Sequence, residues 1–158
     1  MKPSSNKSSG IFTGDALGNI GVAMARETVL EIRYERYTSR ATAMRSVERA
    51  GELLRQNPQS NALVLGLLDA SGHDPGNTAL GVRWAAEFRD QLRRVAGVTR
   101  SHSLANLGNI VKVMVPWIEV RVFTSRDDAI AWCELPLPQK SSSQTGLRPV
   151  TGRRNSAA

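Results

Sequence analysis

A chain of 158 residues, 41% of them hydrophobic and 22% charged, holds enough apolar matter for one buried core. That balance excludes collagen-like, coiled-coil and wholly disordered chains. One cysteine, Cys133, and two histidines, His73 and His102, exclude an internal disulfide and a four-ligand zinc site. The formal net charge of +7 invites a nucleic-acid reading, but the excess is concentrated at the ends: residues 137–158 contribute +4, and residues 26–136 only +2. Such a basic tail attracts phosphate without sequence preference, so no specific nucleic-acid partner is expected. No stretch approaches the ~20 apolar residues of a membrane span, and no secretory signal is visible near the start. The expectation is a cytoplasmic domain without metal or cofactor.

Residues 1–18 are rich in Ser, Gly, Lys and Asn, and residues 136–158 in Pro, Ser, Gly and Arg. Neither has a periodic apolar face to offset the entropy of ordering, so both are expected to be flexible tails flanking a domain at 19–135. Ile20, Val22 and Met24 alternate, as do Leu30, Ile32 and Tyr34, which predicts a hairpin of two strands with Glu31, Arg33 and Glu35 toward solvent. Ser39 reads as the N-cap of a helix carrying Met44, Val47, Ala50, Leu53 and Leu54, stopped at Asn57-Pro58. Residues 62–68, ALVLGLL, form an unbroken apolar run that predicts a strand covered on both faces and closed by Asp69. The next eight residues, ASGHDPGN, read as a loop.

Leu80, Trp84, Phe88 and Leu92 then fall at steps of four, a helix stripe turned to the core, with lining of an apolar ligand site as the other reading. Val95, Val98 and Thr99 suggest a short strand. Ser103 is expected to cap a helix bearing Leu104, Leu107, Val111, Met114 and Val115 and ended by Pro116, and the neighbouring Trp117 reads as an exposed anchor for a partner. Residues 118–123, IEVRVF, alternate as a strand. Ser125 opens a last helix over 126–134, with Ala129, Ile130 and Trp132 toward the core and Cys133 as a small apolar neighbour. Strands alternating with helices predict an α/β domain: a mixed sheet of four to five strands with about four helices packed on it.

The segment Val120-Arg121-Val122-Phe123-Thr124-Ser125-Arg126-Asp127-Asp128-Ala129-Ile130-Ala131-Trp132-Cys133, a strand ending in Phe before a capped helix, is similar to a signature of small bacterial STAS-like proteins, with Cys133 where Leu is usual. Asp69-Ala70-Ser71-Gly72 after the central strand adds to the likeness. Over roughly 19–135 the chain therefore resembles the STAS-like, anti-sigma-factor-antagonist-like bacterial family. Phosphorylated antagonists carry Asp-Ser-Ser-Gly-Leu-Gly at the start of the following helix. The matching stretch is Gly76-Asn77-Thr78-Ala79-Leu80-Gly81, in which Leu80 and Gly81 agree, Thr78 supplies a hydroxyl at the acceptor position, and Gly76 replaces the acid.

The resemblance implies a non-catalytic regulatory module that binds a protein, a kinase-like anti-sigma factor among the candidates. Its partner-binding loop and helix start would comprise Asp69, Ser71, His73, Asp74, Asn77, Thr78 and Leu80, with Thr78 as phospho-acceptor candidate. Read without the family, Asn77 or Thr78 is an N-cap, and the same helix start suits an anion. The alternative function is a domain for a small apolar or anionic ligand, with its pocket between the Trp84 helix and the sheet. An enzyme built on His73-Asp74 ranks last, because neighbours in one loop rarely converge on one atom.

Overall fold

The computed structural model describes residues 11–138. In chain order the elements are β1 (Ile11–Gly14), β2 (Gly18–Arg26), β3 (Val29–Thr38), α1 (Arg40–Gln56), β4 (Ala62–His73), α2 (Gly76–Glu87), β5 (Arg94–Val98), α3 (His102–Met114), β6 (Glu119–Phe123) and α4 (Arg126–Glu134). The strands make one sheet whose spatial order is the chain order. β1, β2 and β3 pair antiparallel; β3, β4, β5 and β6 pair parallel. Each parallel step needs a crossover helix, and α1, α2 and α3 supply the three.

Two cores result. On one face Leu30, Ile32, Leu63 and Val95 pack with Ala50 and Leu54 of α1, with Trp84 of α2, and with Phe88 and Leu92 just after it. On the other face Val29, Ala62, Val64, Ala96 and Val98 meet Ala129, Ile130, Trp132 and Cys133 of α4. The apolar run at 62–68 is thus covered on both faces over its first half, as its composition requires. The Trp84, Phe88 and Leu92 stripe is core, although α2 ends at Glu87 and Leu92 follows a turn.

The sheet has six strands rather than four or five. The added one, Ile11–Gly14, lies in the segment expected to be a flexible tail and pairs with β2 from Ile11–Val22 to Gly14–Asn19. Four residues without alternation carry no periodic signal, so only the partner strand reveals it. The expected tails over 1–10 and 139–158 lie outside the described residues. β4 also overruns its expected end at Asp69. Residues 70–73 read as loop by composition, yet Arg36–Ala70, Tyr37–Gly72 and Thr38–His73 pair across the ladder, after irregularities at Arg33/Glu35 and Arg36/Tyr37. Arg36 takes a left-handed φ of 60° at the second of these. It pairs with Gly18, where any Cβ would collide with the Glu35 and Tyr37 carbonyls.

Polar side chains fasten the layers. Asp15, in the β1–β2 turn, accepts hydrogen bonds from Leu17 N (2.8 Å), from Ser39 Oγ (2.5 Å) and from Thr42 Oγ1 (2.9 Å). Ser39 in turn caps α1 by accepting from Thr42 N at 3.2 Å. α3 is capped by Ser101, not Ser103, because Ser101 Oγ is the oxygen placed to accept from Leu104 N. Ser125 caps α4 as expected. Glu31, read as solvent-facing, is buried: Arg126 donates to both its carboxylate oxygens at 2.7 Å, joining α4 to β3. Buried Arg94 donates to the Trp132, Leu135 and Pro136 carbonyls, satisfying the end of α4, and its guanidinium lies 5.2 Å from the Trp132 ring centre. Trp117, read as exposed, is half-buried against the core under Arg89.

Two expectations follow. The hydroxyl of Ser39 is the largest influence holding the Asp15 carboxyl at about 2, below the ordinary 3.8. Its contribution is full above pH 3.8 and is lost as pH falls through about 2, so Asp15→Asn narrows the stability gap to wild type over that window in acid-denaturation curves. Arg126→Ala leaves Glu31 only the longer contact to Arg33 at 3.7 Å and costs about 2 kcal/mol by urea unfolding. Glu31→Gln leaves Arg126 able to reach water and costs about 1 kcal/mol.

Candidate functional site

Along β3 and β4, alternation points Ile32 and Tyr34, and Leu63, Leu65 and Leu67, toward the three crossover helices. The helices do not close on these residues. Ala43 and Val47 of α1, Gly81, Trp84 and Ala85 of α2, and Leu104 and Val111 of α3 surround a cavity of about 210 Å³. An apolar cavity of ~150 Å³ already stays dry and accepts a small aromatic molecule. The opening exists because small residues stand where bulky ones would fill it: Ala43, Ala70, Gly81 and Ala85 are all in the wall. A Cβ at Gly81 would meet nothing within 4 Å.

One end of the cavity is polar. Thr38 and His73 are register partners at the ends of β3 and β4. Asn77 Nδ2 donates to the Thr38 carbonyl at 3.0 Å, and Thr78 follows it in the first turn of α2. The Thr38 carbonyl can only accept, which fixes the orientation of the Asn77 amide. Asn77 Oδ1 is buried and has no donor among the described residues. The opposite end is formed by Leu63 and its partner Val95, with Leu92 and Ile118. Tyr34 borders the cavity, and burial pushes its phenol up to about 12.

The residues singled out from the sequence separate into three groups. His73, Asn77, Thr78 and Leu80 line the cavity. Asp69 and Ser71 are exposed on β4 and are not part of its wall. Asp74 makes the turn into α2, where its Oδ1 accepts from Gly76 N at 2.8 Å. That contact replaces the cap expected of Asn77 or Thr78: Pro75 occupies the N-cap position, with no side-chain cap. Tyr34, Thr38 and Gly81 were missed as site residues. Tyr34 carried the signal of strand alternation alone, and Gly81 that of a small residue on a helix with bulky ones. His102 opens α3, exposed and away from the cavity wall. Cys133 is buried on the other face of the sheet, its thiol pushed up to about 12 chiefly by burial. No cluster of three metal-ligating side chains occurs among the described residues.

The family model described as SpoIIAA-like matches residues 29–134. The chain belongs to the SpoIIAA-like family. Two solved structures share its fold. One is an uncharacterised protein of the DUF3478 family with a SpoIIAA-like fold from Shewanella loihica PV-4, 12% identical, with a TM-score of 0.61 over 77% of this chain and 98% of that one. The other is the Bacillus cell fate determinant SpoIIAA in its phosphorylated form, also 12% identical, with a TM-score of 0.55 over 72% of this chain and 97% of that one. No curated protein matches the chain. Among the described residues no helix is long and apolar enough to cross a membrane.

Within this SpoIIAA-like domain, Thr78 stands half-buried at the polar end of an otherwise apolar cavity. A charge placed there is poorly solvated. Thr78→Asp is therefore expected to lower stability by about 1–3 kcal/mol in urea unfolding, against less than about 1 kcal/mol for Thr78→Val.

Proposed function

We propose that this SpoIIAA-like chain is a non-catalytic binding module that takes a small apolar molecule into the cavity between the sheet and α1, α2 and α3. The observation that carries the reading is the cavity itself: about 210 Å³, lined mainly by aliphatic and aromatic side chains. Binding pockets are concave, largely apolar and supplied with a few convergent polar groups.

A regulatory protein-interaction role is the second reading. It is favoured by the exposed Leu68 on β4, beside the exposed Asp69 and Ser71, and by the fold shared with the phosphorylated Bacillus determinant. The two readings combine if ligand occupancy changes what that surface binds.

Gly81→Leu tests the cavity. Leucine removes the helix penalty of glycine, about 1 kcal/mol, and grows into open space. The variant should be at least as stable as wild type in urea and should lose the saturable rise in Tm that 1-octanol gives the wild-type chain. Equal shifts in both proteins place the binding elsewhere and reject the proposal. Pull-down of a kinase-like anti-sigma factor by wild type but not by Leu68→Arg would support the second reading, and capture of the factor by neither protein would reject it.

A further inference from the structure

The wall of the cavity carries a sharper statement than its volume. Resting on the reading of the cavity as a binding site, we infer that its ligand is an uncharged amphiphile. Its polar end is seated among Thr38, His73, Asn77 and Thr78, and its apolar end lies against Leu63 and Val95.

Two observations set this apart from a generic greasy pocket. First, the polarity is graded along β4: the strand enters the cavity at Leu63, paired with Val95, and leaves it at His73, paired with Thr38. Asn77 joins that end through its bond to the Thr38 carbonyl, so two threonines, an imidazole and an amide gather there; of the other polar lining residues, Ser46 donates its hydroxyl to the Ala43 carbonyl, Trp84 Nε1 lies beside Gly51, and Tyr34 borders the cavity from β3. Second, no Lys, Arg, Asp or Glu lines the cavity. An ionised head would be taken out of water without a counter-charge, whereas an alcohol exchanges hydrogen bonds with this polar end. The raised Tyr34 phenol reports the same poorly solvated interior from another position. The carboxylate next to this end, Asp74, is engaged by Gly76 N. The rival is Arg40, whose guanidinium lies over Gly76 just outside the wall and could draw an anionic head.

Calorimetric titration of the full chain with three compounds decides among these: 1-octanol; octanoate, ionised at about pH 8; and ethylbenzene, which has no polar end. The expected result is 1-octanol binding at least about tenfold tighter than octanoate. Thr78→Val should weaken 1-octanol by about fivefold and leave ethylbenzene unchanged. Isotope-filtered contacts should run from the alcohol's CH2–OH protons to Thr78 and from its terminal methyl to Val95. Octanoate binding as tightly as 1-octanol, or more tightly, overturns the uncharged head, and reversed contacts overturn the orientation. In both cases the cavity reading survives. Failure of all three compounds to bind sinks both.

Discussion

The parallel register of β4 on β3 is the constraint from which the rest follows. It runs from Val29–Ala62 to Thr38–His73. Because β4 continues past β5, whose pairing with it ends at Gly66–Val98, its second half projects beyond the part of the sheet that the two cores sandwich. That projection carries His73 to the polar end of the cavity, sets Asp74 to turn the chain into α2, and fixes the first turn of α2 against the Thr38 carbonyl. A loop at 70–77 would have left those groups unorganised. The strand exists there because β3 is long enough to supply ladder partners, not because Ala70-Ser71-Gly72-His73 favours extension.

The same sheet divides its two faces by purpose. The α4 face is closed: Glu31 and Arg126 lock the helix to β3, and Arg94 satisfies the helix end while stacking on Trp132. Buried charges tolerate such a place only when paired and hydrogen-bonded, and both meet that condition, Arg94 through Glu119 at 3.4 Å. The face under α1, α2 and α3 is apolar but incompletely filled. A protein interior is packed to crystal density, so an opening of this size lowers stability and calls for a reason. On the binding role proposed above, occupation by a ligand recovers that cost.

Much of the architecture was legible in the residues. The alternation of Leu30, Ile32 and Tyr34, the unbroken run at 62–68, and the capping serines at 39 and 125 are local signals, and the strands and helices stand where those signals lie. The likeness to the STAS-like family rested on such features and agrees with the family found. What escaped was whatever depended on a distant partner. Glu31 alternates like a surface residue, and Arg126, 95 positions on, makes its burial tolerable by donating to both carboxylate oxygens. Ser101 and Ser103 are equal candidates for a cap until the path of the chain chooses one. The short strand at Ile11–Gly14 has no period to detect.

The site divides in the same way. His73, Asn77, Thr78 and Leu80, read from the sequence as part of a partner-binding loop and helix start, are placed by the structure in the cavity wall. Asp69 and Ser71 belonged to the same stretch of chain but emerge on the outer side of β4, because the irregularity opposite Arg33/Glu35 inserts one residue and reverses the alternation that points Leu63, Leu65 and Leu67 into the cavity. By itself the sequence determined the order of strands and helices, because periodicity and capping act within a few residues. Only the tertiary structure decided that a cavity remains between those layers and which side chains meet around it, because a void is set by the mutual fit of elements far apart in the chain.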